Sequence, residues 1–337
     1  MEDLKLFDDI CAVLNLGKIK RKIKSVSGGY MHKMYYLCTE KGEYAVKLLN
    51  PVIMKRSDVF ENYRIAEELE YKLEKADLPI VAALEFNGTK MQCIDNQYFY
   101  VFNWVNGKSL KNNKISKKHC EIIGQILARI HKLESLTSED EIKKLNIDWD
   151  LYISKACKQN SKISKTLINN REILYEYQDK GNAALEKLHK IKTICNGDMD
   201  SKNVLWVDGK PQIIDLESLS YSNPYVELFQ LALCWCGYES CSLKYDLLEA
   251  FVRAYIDKYG PFEIDWDTVF YSNLGRLEWL EYNIKRALFI ECNNKKEQKL
   301  GAEQVKETMK HILYYDKIHY DLVNRLHSIT KSNFTNK

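Results

Sequence analysis

The spacing of apolar and polar positions changes period several times along the chain. Residues 2–14 mix apolar and acidic positions at helical spacing and predict a short first helix. The period then drops toward two. KIKSVSGGYMHKMYYLCTEKGEYAVKLLN reads as strand, turn, strand, turn, strand, with Ser27-Gly28-Gly29 in the first turn and Lys41-Gly42 in the second. Helical spacing returns over 57–76, where Ile65, Leu69 and Leu73 share a face. Two more strands are predicted near 81–86 and 97–105. This first part reads as a small antiparallel sheet with one main helix after the third strand.

Beyond VNGKSL (105–110) the texture becomes helical. KKHCEIIGQILARIHKLE (117–134) carries Ile122, Ile126 and Ile130 at four-residue steps, and 171–191 predicts a second long helix. Two short strands follow, near 203–207 and 211–215, joined by the turn Asp208-Gly209. Helices are then predicted over 224–238, 243–259, 266–289 and 299–328. The pattern divides the chain into a β-rich part, 1–105, and a helical part, 106–337.

Composition narrows the class. Of 337 residues, 45% are apolar and 29% charged, as in a globular protein, and only 5 prolines argue against a linker-rich chain. The opening MEDLKLFDDI predicts no secretory leader, and no run of about 18 apolar residues predicts a membrane span. The ten cysteines form no CxxC pair and read as reduced thiols of a cytoplasmic protein. The net charge of +3 is uneven: residues 196–283 hold 15 Asp/Glu against 6 Lys/Arg, a balance of −9, which leaves +12 elsewhere. That positive charge is dispersed, which argues against a nucleic-acid partner. The acidic block suits metal ions or a cationic small molecule.

The chemistry concentrates in ICNGDMDSKNVLW (194–206) and PQIIDLES (211–218). A short hairpin can bring Asn203 and Asp215 together at one end, as hard oxygen ligands suited to Mg²⁺. Asp198, on the preceding loop, can accept a proton from an attacking hydroxyl. A base, a metal-holding Asn and a metal-holding Asp are the parts of phosphoryl transfer. The reaction also needs a cation on the nucleotide phosphates. Lys47, in an apolar run on the third strand, fits that need, and Gly28 and Gly29 permit close backbone approach by the first turn. A glutamate of the following helix should pair with Lys47; Glu61, Glu67 and Glu68 are candidates, with Glu68 preferred and Glu67 next.

NGDMDSKNVLW…QIIDLES resembles the catalytic and metal loops of the aminoglycoside phosphotransferase family, which is similar to choline kinases and has the two-lobed, α+β protein-kinase-like fold. SGGYMHKMYYL…GEYAVKLL is similar to its nucleotide loop and lysine strand, YVFNWVNGKSL to its hinge, QILARIHKLE to the helix supporting the catalytic loop, and NPYVELFQLAL to the helix after the metal loop, with Glu227 where Asp is common. LEWLEYNIKRAL is similar to a segment of one bacterial branch. The resemblance implies that Asp198 is the catalytic base, that Asn203 and Asp215 hold Mg²⁺, and that Lys47 contacts the phosphates of ATP or GTP. In the hinge it implies that backbone groups of Asn103 and Val105 meet the adenine edge, with Phe102 as gatekeeper and Tyr100 and Trp104 lining the slot. Asn196 stands where the family has His; Asn also donates and accepts, so activity is expected to survive.

The resulting expectation is a small-molecule O-phosphotransferase, a monomer or weak dimer, acting on a cationic substrate such as an aminoglycoside antibiotic and so conferring resistance. Asp200, Glu217, Glu239, Glu278 and Glu281 are the candidate substrate carboxylates. A metabolic kinase of an amino alcohol or sugar, and a non-catalytic kinase-like binding protein, are the alternatives. His131 reads as a packing histidine, His32 as a surface strand position, and Trp206, Trp235 and Trp279 as core.

Overall fold

The computed structural model describes residues 2–26, 32–137, 141–292 and 294–331. In chain order the elements are α1 (Glu2–Val13), β1 (Lys24–Val26), β2 (Lys33–Cys38), β3 (Glu43–Leu48), α2 (Val59–Lys75), β4 (Gln92–Ile94), β5 (Gln97–Asn103), β6 (Lys108–Ser109), α3 (Lys117–His131), β7 (Ser135–Thr137), α4 (Trp149–Lys158), α5 (Ser164–Asn169), α6 (Arg171–Lys187), β8 (Ile191–Cys195), β9 (Val204–Val207), β10 (Lys210–Ile213), β11 (Ser220–Ser222), α7 (Pro224–Trp235), α8 (Tyr245–Tyr259), α9 (Trp266–Ser272), α10 (Gly275–Ala287) and α11 (Lys295–Lys331). They form two compact units. The first is 1–111 with 196–220, and the second is 112–195 with 221–337. The division expected from the sequence, at 105/106, differs in that six more residues and the whole segment 196–220 belong with the first unit.

The first unit is built on an antiparallel sheet of order β1-β2-β3-β5-β4. Side chains alternate across it, so Val46 and Leu48 face one way and Lys47 the other. The Val46 face packs with Phe99, Val101 and Leu37 against Phe7, Ile10 and Leu14 around α1. Tyr100, the cross-strand partner of Lys47, packs on the opposite face with Tyr63 of α2. The hairpin β9–β10 is attached to this body twice. β6 pairs with β9, and Ile213 exchanges backbone hydrogen bonds with Pro79 and Val81, at 2.7 Å each.

A buried ion cluster holds α2 against the β4–β5 side. Lys90 is 1% exposed, and its Nζ donates to Glu70 at 2.5 Å and Glu74 at 2.6 Å, over the ring of Tyr71. Glu70 also accepts the backbone N–H of Ala83 at 2.9 Å. A buried charge is tolerable only when paired this fully.

The second unit is mostly helical. α3 crosses α8 so closely that a Cβ on Gly124 would lie 2.4 Å from the Phe251 carbonyl oxygen, so glycine is required there. Asn223 caps α7 through Tyr225 and Val226 N–H, with Pro224 in the first turn, and Asp265 caps α9.

Several sequence expectations are corrected. The strand expected at 81–86 is reduced to isolated bridges at Ala83 and Phe86, and β4 lies at Gln92–Ile94 instead. The helix expected over 266–289 breaks at Asn273 into α9 and α10. α4 and α5 were not foreseen. Trp279 is 47% exposed rather than core, whereas Trp235 is fully buried. His32 is buried, not a surface position. The described cysteines are all free, and Cys11, Cys38, Cys120, Cys195 and Cys236 are buried. No helix of the described residues is long and apolar enough to cross a membrane.

Replacing Lys90 by Met strands Glu70 in the interior. The expected loss is about 3 kcal/mol, read from the urea midpoint. The double variant Lys90→Met/Glu70→Leu should recover most of it, because no unpaired charge then remains. Equal loss in both would show that the cluster does not hold α2.

Candidate active site

The residues singled out between 196 and 217 lie in the first unit, with Lys47. Asn203 anchors the loop before β9. Its Nδ2 donates to the Asp198 carbonyl at 2.9 Å and to Asp198 Oδ2 at 2.8 Å, while its backbone carbonyl accepts Ile214 N–H at 2.9 Å. Asn203 and the residue before Asp215 are therefore tied across the hairpin. With Nδ2 turned to Asp198, Asn203 Oδ1 makes none of these hydrogen bonds. Asp215 has φ +63, a left-handed conformation that Asp tolerates better than most residues.

Asp198 sits in a turn braced by Asn196. Asn196 is fully buried, and its Oδ1 accepts the Asp198 N–H at 3.1 Å. Its Nδ2 has no hydrogen-bond partner among the described residues. Gly197 between them has φ +76, and a Cβ there would lie 3.1 Å from the Ser218 carbonyl oxygen. Asn196 thus supplies one brace and leaves one donor unused.

Burial holds the Asp198 carboxyl above its usual range, and the charge of Lys202 opposes this. Lys202 Nζ lies 3.3 Å from Asp198 Oδ1 and 3.0 Å from Asp200 Oδ2. Asp200 also accepts the Lys202 backbone N–H at 3.0 Å, so its contacts are local ones.

Lys47 is 6% exposed, and its Nζ lies 2.6 Å from both Asp215 Oδ1 and Glu217 Oε2. Burial would lower the pKa of this ammonium, but the two carboxylates hold it above the usual value. Burial would likewise raise Glu217, but the hydrogen bond from His32 and the Lys47 charge pull it down to about 2. Lys47, Glu67, Tyr100, Phe102, Asp215 and Glu217 line one pocket.

The expected Lys47–Glu68 pair is not formed. α2 turns Glu67 toward the sheet, where it accepts the Tyr100 hydroxyl at 2.6 Å. Glu68, one residue on, points away and binds Arg64 at the surface, as does Glu61. A step of about 100° around the helix separates the two glutamates. The turn Ser27-Gly28-Gly29 lies outside the described residues. Phe102 and Asn103 lie on β5 opposite Ala45 and Tyr44, and Val105 follows the strand, half-buried.

The other acidic candidates belong to the second unit. Glu239 accepts from Asn112 at 2.6 Å, and Glu281 accepts the Tyr152 hydroxyl at 2.6 Å with Lys285 at 3.4 Å. Glu278 is exposed on α10. His131 is buried between Tyr255, 2.9 Å from Nδ1, and Glu227, 2.7 Å from Nε2, with Cys195 Sγ at 3.8 Å. These atoms cluster like a metal set. The 2.7 Å contact is a direct hydrogen bond, however, and a tetrahedral ion with ligands near 2 Å would need them about 3.3 Å apart.

Sequence reasoning missed His32, Tyr63 and the Lys202 contacts. Lys202 was legible, since it follows Asp198 by four residues. Nothing in the local pattern marks His32.

The fold is protein-kinase-like, and the protein is a phosphotransferase. The chain belongs to the phosphotransferase enzyme family, whose sequence profile matches residues 22–269. Among curated proteins none matches. Solved structures do. A spectinomycin phosphotransferase in complex with ADP and spectinomycin superposes with a TM-score of 0.67 at 14% identity, covering 91% of this chain and 97% of that one. An amicoumacin kinase with AMP-PNP and Ca²⁺ gives 0.60 at 12% identity, over 91% of this chain and 93% of that one. The choline kinase of Cryptosporidium parvum Iowa II gives 0.56 at 10% identity, over 96% and 99%. At these identities the likeness is one of fold.

Substituting Lys202 by Met removes the cation opposing the burial of Asp198. The Asp198 titration midpoint, followed by carboxyl carbon NMR, should rise by up to about one unit. An unmoved midpoint would mean that Lys202 does not act on this carboxylate.

Proposed function

We propose that the protein transfers the γ-phosphoryl group of ATP or GTP to a hydroxyl of a small cationic molecule, with an aminoglycoside antibiotic as the leading acceptor. The observation that carries this reading is the gathering of Lys47, Asp198, Asn203 and Asp215 in one compact unit. Asp198 takes the proton of the attacking hydroxyl, and burial, by raising its pKa, makes it a stronger proton acceptor. Lys47 presents an ammonium to the nucleotide phosphates. The segment Phe102 to Val105 offers backbone groups to the adenine edge. Asn203 Oδ1 and Asp215 are the oxygens that would hold Mg²⁺, which when bound neutralises charge on the phosphates. No covalent enzyme intermediate is needed, because positioning and electrostatics suffice.

The bound ADP, AMP-PNP and Ca²⁺ of the solved neighbours support a nucleotide co-substrate and a divalent cation. A cationic acceptor is supported by the balance of −9 over 196–283 and by the exposed Glu278. Glu217 is not offered to substrate in this reading, since both its oxygens are engaged within the site. Antibiotic resistance follows if the acceptor is an antibiotic. The choline kinase likeness favours a second reading, a metabolic kinase of an amino alcohol.

The test is release of nucleoside diphosphate from Mg·ATP and Mg·GTP over a panel of aminoglycosides, other antibiotics and amino alcohols. Turnover on one acceptor is expected to fall by at least about a thousandfold in Asp198→Ala. Faster turnover of choline or ethanolamine than of any antibiotic would favour the metabolic reading. Nucleotide binding with every acceptor silent would favour a binding protein.

A further inference from the structure

Lys47 needs a counter-charge that stays with it. Asp215 cannot be that group alone, because the reading above gives its carboxylate to a cation. The acids of α2 have other partners: Glu61 and Glu68 pair with Arg64, Glu67 with Tyr100, and Glu70 and Glu74 with Lys90. We infer that Glu217, held in place by His32 and Tyr63, is the positioning carboxylate for Lys47, the task expected of a glutamate on α2.

The geometry around Glu217 carries this. Its side chain is only 20% exposed, with Oε2 on Lys47 Nζ at 2.6 Å and Oε1 3.4 Å from His32 Nε2. The role of the His32 ring follows from its other side. The backbone N–H of Asn50 donates to Nδ1 at 3.0 Å, so Nδ1 keeps its lone pair and the ring proton sits on Nε2. That N–H faces Glu217 and the Tyr63 hydroxyl, which lies 3.2 Å from Nε2. His32 is 7% exposed and Tyr63 also 7%, so neither has water as an easy alternative. Glu217 therefore sits in a dry cradle with one oxygen for the cradle and one for Lys47. Its fixed carboxylate lets Asp215 turn to a cation without stranding the buried ammonium.

This rests on the phosphotransfer reading and concerns the exchange of Asp215 between Lys47 and Mg²⁺. It is tested by binding, not turnover. The full-length protein is titrated with a fluorescent ATP analogue at fixed concentration while Mg²⁺ is varied, with circular dichroism to check folding. In Glu217→Gln, Lys47 has only Asp215, and the cation must displace it. The half-saturating Mg²⁺ should rise about tenfold, the equivalent of one charged hydrogen bond. His32→Ala should raise it about threefold, and His32→Gln, which keeps an N–H donor, should restore part of the loss. Glu68→Gln should leave it unchanged. An unchanged Mg²⁺ dependence in Glu217→Gln would overturn the inference. So would a lower requirement in His32→Ala, since a released Glu217 would then be acting directly on the cation. If the unsubstituted protein binds no nucleotide at any Mg²⁺ concentration, the phosphotransfer reading itself fails, and this one with it.

Discussion

The first unit depends on a buried ammonium. Taking a lysine charge out of water costs several kcal/mol, and only well-placed opposite charge offsets it. At Lys47 that charge comes from two carboxylates at 2.6 Å each, both from the segment after β10. The ion pair is therefore a tether as well as a piece of chemistry. It fixes the turn Leu216–Ser218 against β3 and α2, and through Asp215 and Ile214 it reaches Asn203 and then Asp198. Loss of the ammonium would leave two acids facing each other in a partly dry site.

The second unit meets a similar demand by different means. There His131, Glu227, Tyr255 and Cys195 form a buried cluster linked by hydrogen bonds. The first unit pairs charges at the point where phosphates are expected. The second uses a fully buried network to lock α3, α7, α8 and β8 to one another.

The parts legible in the sequence were those governed by short-range rules. Strand alternation put Lys47 on an otherwise apolar strand, the Asp208-Gly209 turn closed the hairpin, and the spacing of Asp198, Asn203 and Asp215 was enough to gather them. What was not legible depended on rotation and distance. Glu67 and Glu68 differ by one step around α2, and the side of the helix that packs Tyr63 against Tyr100 of the sheet decides which faces inward. The pairing of Lys47 with Glu217 joins residues 170 positions apart, beyond any local pattern. The strand near 81–86 failed because its apolar run serves isolated bridges and packing, not a ladder. Trp279 was read as core because aromatic residues usually are, yet its place on α10 leaves it half in solvent.

The grouping of 196–220 with 1–111 has a consequence for how the molecule comes into being. A chain emerging from the ribosome presents its sheet early, but the partners of Lys47 arrive 168 and 170 residues later. Until then a lysine destined for burial has no carboxylate from that segment, and the sheet waits with a polar defect on one face. Contacts of such long sequence separation form slowly, because the intervening loop must close before they yield any stabilisation. A truncation or stall before about residue 215 would leave a fragment lacking its charge partner, exposed to aggregation and to proteases.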